Sequence, residues 1–414
     1  GRGMGPDGRS VFEEGIRIPI MPLSRAGTLN EDLLTILLAN SREPEQVQGD
    51  ILAIVAAGRE GGQRLVEMLV EFGSDELETL AAFIINRSRN ATLKAIARLK
   101  PGIYQNEMKI DGYDYEVRLV ATLTVTQEGL ALDYTGTSKA SSYGINVVGT
   151  YTTAYSLFGL KCASAPGIPN DAGSMSCFTV TAPDGSILNA RDPAPVSARH
   201  IIGHALPDVV MGCMEQCLPG GTVAESGMMW NPYARGIHLA DKRPWEVFLF
   251  NSGGMGARPD KDGLSATAFP SGIKNIPIEA IEAVVPVLFH RKELRPNSGG
   301  AGTWRGGLGQ VVEIASSEPA SEIAFQAMFD RVDNPARGRS GGSPGAPGRV
   351  TLDDGTVLKA KGLQRIPPGR KLILELPGGA GFGPASERDP AQLARDLEEG
   401  YVTLEGVRRD YQIT

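Results

Sequence analysis

Glycine constrains this chain more than any other residue. Of 414 residues, 52 are Gly and 28 are Pro, too many for a helical bundle and suited to many turns and strand ends. The glycines cluster in four stretches: Asn251-Ser-Gly-Gly-Met-Gly-Ala-Arg-Pro-Asp-Lys-Asp-Gly263, Gly299-Gly-Ala-Gly-Thr-Trp-Arg-Gly-Gly-Leu-Gly309, Arg337-Gly-Arg-Ser-Gly-Gly-Ser-Pro-Gly345 and Pro377-Gly-Gly-Ala-Gly-Phe-Gly-Pro384. A residue without Cβ lets backbone approach a ligand or another strand closely. Four such loops in the strand-rich half point to backbones packed on each other or on a partner. A phosphate nest is the weaker alternative, because no helix N-terminus follows any of them.

The order of elements sets the fold class. Residues 1–29 read as loop. Asn30 is a fitting N-cap for a helix over Glu31–Asn40, Pro44 suits the first turn of a second, and Val47, Ile51, Ile54, Val55, Leu65, Met68, Leu69 and Phe72 recur at helical spacing. Gly73 ends that helix, Ser74 caps the next, and Pro101-Gly102 closes the helical part. Tyr113–Val120, Leu123–Thr126 and Leu130–Tyr134 then alternate as an antiparallel meander. Thr152–Ala163 and Ser197–Cys217 read as helices, the second kinked at Pro207, and Phe178–Ala182 and Ser186–Ala190 flank a Pro183-Asp-Gly185 turn. Short strands follow at Trp245–Asn251, Pro286–Glu293, Gln310–Ala315, Glu322–Met328, Arg349–Leu352 and Lys371–Leu376, and the tail from Asp389 is helical. Helices followed mostly by strands predict an α+β fold. The expected parts are an N-terminal loop and helical region (1–102), a mixed region (103–220), a glycine-loop β-rich region (221–388) and a helical tail (389–414).

Charge and cysteine content exclude several functions. With 41 Lys+Arg against 48 Asp+Glu the net charge is −7, which disfavours nucleic-acid binding. No apolar run is long enough to span a membrane, and no secretory signal opens the sequence. Four cysteines make no disulfide framework, so a reducing, cytoplasmic setting is expected. A chain opening on Gly1 rather than Met predicts further residues ahead of it.

Candidate sites each carry a plain alternative. Gly3-Met-Gly5-Pro-Asp-Gly8 spells G-x-G-x-x-G but lacks a preceding strand, and there is no Walker A or H-E-x-x-H motif. His200, His204 and Asp208 fall at i, i+4 and i+8 of one expected helix. Two imidazoles a turn apart can share a metal, but the third group sits too far along, so hydrogen bonding to neighbours is the preferred reading. Cys213 and Cys217 read as small buried hydrophobes. In the Asn251–Gly263 loop, Arg258 offers a planar fork for carboxylate or phosphate, with Asp260 and Asp262 to orient it. A long loop whose Arg and Asp residues pair with each other is an equal alternative. Asp330-Arg331 is either a local ion pair or part of a site.

Several of these stretches also carry a family resemblance. Phe12-Glu-Glu-Gly-Ile-Arg-Ile-Pro19 resembles the EGLRIPP signature of the hydantoinase B/oxoprolinase family, and Asn30-Glu-Asp, Asn40-Ser-Arg-x-Pro44 and Gly49-Asp50 continue it. Tyr134-Thr-Gly-Thr-Ser138, Gly144-Ile-Asn146, Pro169-Asn170, Ala182–Asn189, Pro193-Ala-Pro-Val-Ser-Ala-Arg199, Gly253–Gly263, Glu293–Gly302, Arg305–Gly309, Asp330-Arg331, Gly378–Gly383 and Glu387–Pro390 follow in family order. The resemblance implies the B-type subunit of an ATP-dependent cyclic amide hydrolase in a hetero-oligomer. A hydantoinase A-type partner would bind ATP and Mg and phosphorylate a carbonyl oxygen of the substrate. It leaves open two alternatives, a subunit of a biotin-independent ketone carboxylase of the acetone or acetophenone type and a non-catalytic scaffold for the A-type subunit. The family's metal-ligating His and Asp residues precede the EGLRIPP signature, so the resemblance implies a divalent metal held outside this sequence, and no residue here is assigned as a ligand or as a cofactor contact.

The catalytic candidates are therefore Arg258 and Asp260 in the glycine loop and Arg17 and Glu14 in the signature. Arg258→Ala is expected to lower turnover of the assembled enzyme more than it lowers the melting temperature. Unchanged turnover with a normal melting curve would reduce that loop to packing.

Overall fold

Residues 5–73 and 76–411 are described by the computed structural model. Gly3 and Met4 of the glycine-rich spelling and the expected cap Ser74 lie outside the described residues. An N-terminal strap leads through the small hairpin β1 (Ser24–Arg25) and β2 (Thr28–Leu29) into three helices, α1 (Glu31–Ala39), α2 (Pro44–Glu71) and α3 (Glu78–Ile96). The Asn30 side chain accepts from the Leu33 amide at 3.1 Å and caps α1. Pro44 sits in the first turn of α2, where its missing N–H costs nothing. None of the 28 residues of α2 is buried, whereas Ser88, Thr92 and Ile96 of α3 turn inward.

The first core forms on a four-stranded sheet of β3 (Gly102–Ile110), β4 (Val117–Val125), β5 (Leu130–Asp133) and β6 (Phe178–Thr181). β4 reads Val-Arg-Leu-Val-Ala-Thr-Leu-Thr-Val and buries every second side chain, the pattern of a sheet with one covered face. The two segments expected on either side of residue 121 are this one strand. The β3–β4–β5 pairings are antiparallel, but β6 joins β5 in parallel. α4 (Gly149–Ser164), the single turn α5 (Ala172–Met175), α6 (His200–Gly203) and α7 (Leu206–Cys217) complete this part, and buried residues of α4 and α7 join the core of the sheet. The helix expected over Ser197–Cys217 is broken between α6 and α7, with Pro207 in the first turn of α7 rather than at a kink. Ser186–Ala190 is not a strand. Its amides are satisfied by loop carbonyls, Ile187 N–H by Ser138 and Ala190 N–H by Val147.

The second core lies between two more sheets. The chain runs β7 (Met229–Trp230), β8 (Tyr233–Ile237), β9 (Pro244–Phe248), β10 (Asn251–Ser252), α8 (Ile278–Val284), β11 (Val287–Leu294), β12 (Gln310–Ser316), β13 (Ile323–Met328), β14 (Arg349–Leu352), β15 (Lys361–Ile366) and β16 (Leu372–Glu375), and ends in α9 (Pro390–Glu398) and α10 (Leu404–Tyr411). One sheet has the order β15-β13-β8-β9 and the other β11-β12-β16-β14. Trp230, Phe325, Phe329, Ile314, Leu372 and Leu374 fill the space between, and Trp230 stacks on Phe329 with centroids 4.5 Å apart.

The four glycine loops close against each other, backbone on backbone. Gly254 N–H donates to Pro377 O at 3.1 Å, Gly307 to Met255 at 2.8 Å, Gly379 to Gly307 at 2.9 Å, Gly300 to Gly379 at 2.8 Å and Gly381 to Ser343 at 2.9 Å. The packing leaves no room for side chains. A Cβ on Gly254 would lie 1.7 Å from Gly307 O, and one on Gly379 2.1 Å from Met255 O. Ion pairs lock the knot to the tail: Arg388 donates to both oxygens of Asp262 at 2.8 Å and to Asp396 at 2.5 Å.

Gly379→Ala is expected to lower stability by about 3 kcal/mol or more, because backbone must move to admit the methyl group. Gly49→Ala in α2, where a Cβ meets nothing within 4 Å, should instead gain about 0.5–1 kcal/mol. Urea unfolding of both variants checks the contrast.

Candidate active-site cleft

The N-terminal strap is held down by two loops that carry chemistry-rich stretches of sequence. Gly144 N–H donates to Pro6 O at 2.7 Å and Val11 N–H to Pro193 O at 3.0 Å, while the Ser197 hydroxyl donates to Gly5 O at 2.9 Å. Glu14 Oε1 accepts from the Val196 amide at 2.5 Å and the Ser197 amide at 2.8 Å. That carboxylate organises the loop leading into α6. Arg17 pairs with Asp192 at 3.3 Å with both side chains half exposed. Arg9 stacks over the Tyr143 ring, 3.5 Å from its centroid, and donates to Ser142 Oγ at 3.0 Å.

Between the strap and the sheet β15-β13-β8-β9 lies a cleft of about 370 Å³, lined by Gly5, Asp7, Arg42, Tyr233, Arg235, Gln326 and Leu363. Strand register explains the lining. Gln326 pairs with both Leu363 and Tyr233, and two residues earlier Ala324 pairs with Arg365 and Arg235. These positions share one face, and the alternate residues Phe325, Ala327 and Ala234 turn into the second core. Gly5 rests on the floor, where a Cβ would sit 3.3 Å from Gln326 Cγ.

The walls are charged and well anchored. Arg42, just ahead of α2, pairs with Glu246 and donates to the Tyr233 hydroxyl at 2.9 Å. Burial alone would raise the Glu246 carboxyl, but hydrogen bonds from Arg42 and Tyr233 outweigh it and lower it. Burial and Glu246 push the Tyr233 phenol up to about 12. The Tyr113 hydroxyl accepts from Gln326 Nε2 at 2.8 Å and the Gly362 amide at 2.6 Å, and donates to Ala327 O at 3.1 Å. Burial and the Asp7 carboxylate hold that phenol neutral. The site therefore offers cation and amide donors (Arg235, Gln326), a carboxylate acceptor (Asp7) and fixed phenols.

The other candidates occupy different places. Arg258 turns back on its own loop, donating Nη2 to Asp262 O at 2.7 Å, while Asp260 is exposed, 3.8 Å from Lys261 Nζ. The structure brings Glu14 and Arg17 together in the strap and Arg258 and Asp260 together in the glycine knot, and no hydrogen bond joins the two pairs. Asp330 and Arg331 do not form a local pair. Asp330 lies 2.9 Å from Lys361, and Arg331 reaches Asp208 at 3.0 Å and Glu225 at 3.1 Å in a buried network. Burial pushes Asp208 upward even beside Arg331. His200 and His204 stand with ring centroids 5.8 Å apart, His200 Nε2 lies 3.3 Å from the Asn231 amide nitrogen, and Asp208 is committed to arginine. Cys213 and Cys217 are buried. Sequence reasoning passed over Asp7, Arg42, Tyr233, Arg235 and Gln326. The available signal was a lone polar Gln326 within Ile323-Ala-Phe-Gln-Ala-Met328, and an arginine inside Asn40-Ser-Arg-x-Pro44.

The family model Hydantoinase B/oxoprolinase matches residues 2–385, and the chain belongs to that family. It is 28% identical over 430 residues to the B-type subunit of a putative D-/L-hydantoinase from Pseudomonas sp. (strain NS671), covering 99% of this chain and 72% of that protein. The crystal structure of ATP-dependent caprolactamase from Pseudomonas jessenii superposes with a TM-score of 0.88 at 25% identity, over 99% of this chain and 74% of that one. Nucleotide-free acetone carboxylase superposes with a TM-score of 0.83 at 17% identity, over 99% of this chain and 62% of that one, a likeness of fold alone. The divalent metal that the family resemblance implies does not fit the residues present: among the described residues no group of three or more His, Cys, Asp or Glu side chains could hold one.

The two histidines give this part of the molecule a pH signature. Burial lowers His200 to about 4 and His204 to about 3. The stability contributed by the neutral rings is fully present above the ordinary histidine value near ~6.5, and is lost as pH falls toward those folded values, because only the unfolded chain takes up the protons. Unfolding free energy measured between pH 7.5 and 5 should fall, and His204→Phe should flatten the slope.

Proposed function

We propose that this chain is the B-type subunit of an ATP-dependent hydrolase of cyclic amides, acting with an A-type subunit that binds ATP and Mg²⁺. The observation that carries this reading is the similarity, over nearly the whole chain, to a named hydantoinase component and to an ATP-dependent caprolactamase. An amide carbon is a poor electrophile because nitrogen donates into the carbonyl. Transfer of the γ-phosphoryl group of ATP to the carbonyl oxygen on the A-type subunit, with ADP as the leaving group and loss of the N–H proton, would give an O-phosphoryl imidate whose C=N carbon is a better electrophile. Water would add to that carbon, the C–N bond would break as the nitrogen takes up a proton, and a second water would release inorganic phosphate from the resulting acyl phosphate. The cleft supports the assignment: its size, about 370 Å³, lies in the range of small-ligand sites, and its donors and carboxylate match the C=O and N–H of a ring amide. In this reading Gln326 and Arg235 orient the carbonyl, Asp7 accepts from the ring N–H, and Glu14 and Arg17 position the strap that roofs the site. Arg258 and Asp260 are proposed to shape the glycine knot at the boundary with the A-type subunit. The complex is assigned to the cytoplasm, and a divalent metal would be held by residues outside this sequence.

Co-expression with an A-type subunit tests the reading. Ring opening of hydantoin, 5-oxoproline or caprolactam should require both chains and ATP. Arg235→Ala, at an exposed position, should raise KM about tenfold, equivalent to ~1.4 kcal/mol of lost binding. ATP hydrolysis by the purified chain alone would contradict the assignment, and full activity of the complex with Arg235→Ala and Gln326→Ala would leave this chain a scaffold.

A further inference from the structure

Opposite charges that share a cleft attract each other, yet two in this one stand apart. The side chains of Asp7 and Arg235 both line it, and neither makes a hydrogen bond or an ion pair among the described residues. The other charged lining residue, Arg42, is held by Glu246 and Tyr233. Arg235 lies directly across the β8–β9 register from Glu246, but that carboxylate is already taken by Arg42 and the Tyr233 hydroxyl. The scaffold keeps the two free groups from meeting. Asp7 follows Pro6, whose carbonyl accepts from the Gly144 amide, and sits two residues before Arg9, which stacks on Tyr143. Arg235 is rooted on a strand whose other face is packed into the second core.

A neutral ring amide leaves this set half used. Gln326 gives one N–H to the Tyr113 hydroxyl and keeps another for a ligand carbonyl. Arg235 adds more N–H donors than one carbonyl can accept, on a group that stays charged. A neutral ligand lying over that guanidinium would strip water from it and return no charge. A carboxylate on the ligand answers both demands, since its two oxygens accept from the guanidinium fork in parallel bonds and offset the charge. Asp7 sets the direction. It accepts from the ring N–H and repels a carboxylate, so the anionic end of the ligand turns toward Arg235.

We propose that the cleft selects ring amides that carry a carboxylate over neutral ones, and that Arg235 is the residue that makes the selection by holding that carboxylate. The inference rests on the cyclic-amide reading and says which members of that class this chain takes. Of hydantoin, 5-oxoproline and caprolactam, only 5-oxoproline bears a carboxylate. Selectivity of this kind comes from the site as much as from the ligand: a group built to bond the substrate is left unpaired by the analogue that lacks the partner.

Calorimetric titration of the full chain with 5-oxoproline and with 5-oxoprolinamide tests this, because the two ligands share a ring and differ in charge. The acid should bind at least tenfold more tightly, a difference of ~1.4 kcal/mol. Arg235→Gln, at an exposed position, should abolish the preference by weakening the acid alone, with an unchanged melting curve. Equal affinities, or no binding of either ligand, overturn the proposal, and a preference that survives Arg235→Gln overturns the role of Arg235. Turnover by the chain co-expressed with an A-type subunit, with ATP, separates this inference from the reading beneath it. Opening of hydantoin or caprolactam but not of 5-oxoproline overturns the selection and leaves the hydrolase reading standing. A preference that depends on Arg235, in a complex that opens no cyclic amide, upholds the carboxylate site and overturns the hydrolase reading.

Discussion

The molecule depends on a contact that side chains would forbid. In the glycine knot, amides of one loop donate directly to carbonyls of another at 2.8–3.1 Å, and a single methyl group would sit well inside van der Waals distance of the facing backbone. Buried backbone must find hydrogen-bond partners, and these loops find them in one another rather than in a regular sheet. The knot fixes what protrudes from it. Arg388 and Arg305 converge on Asp262 and Asp396, and Arg331, Arg337 and Arg339 converge on Glu225 and Asp208. Removing one partner of such a buried pair costs about 3–5 kcal/mol, because the other charge is stranded. The networks therefore favour one arrangement of the loops.

The cleft uses that rigidity from the other side. Its floor is the outer face of a sheet whose inner face is pinned by Phe325, Ala327 and Trp230 in the second core. Its roof is a strap tied by backbone hydrogen bonds to the loops at 144 and 193. Polar residues on a sheet face backed by a closely packed core keep their spacing. A ring amide held there would meet preset donors and an acceptor, which lowers the entropic cost of orienting it.

The sequence was legible where a local rule applies. Arg349–Leu352 alternates and is bounded by turn residues, and it is the strand observed. Asn30 and Pro44 marked helix starts through capping and first-turn chemistry. Glycine clusters foretold backbone contact because no other residue permits it. Strands β3 and β15 went unread: β3 begins at the Pro101-Gly102 break that resembled a boundary, and β15, Lys-Gly-Leu-Gln-Arg-Ile, is too polar to stand out. Its place is set by pairing with β13. The cleft was hidden for the same reason. Asp7, Arg42, Arg235 and Gln326 lie far apart in the chain, and only register and the path of the strap bring them together. Glu14 and Arg17 were visible as part of a signature, but the work Glu14 does, accepting two amides of the 196–197 loop, is a long-range fact no local pattern contains.

Helix α2 and the cleft are also joined through one residue. Arg42 lies two residues before Pro44, the first residue of α2, and it is bonded to Glu246 of β9 and Tyr233 of β8. The guanidinium stands at the root of the helix, so the start of α2 and the Glu246–Tyr233 corner hold each other in place. The start of the helix and the order of the cleft thus draw on the same short segment, Asn40 to Pro44, where the sequence concentrates an asparagine, an arginine and a proline within five residues.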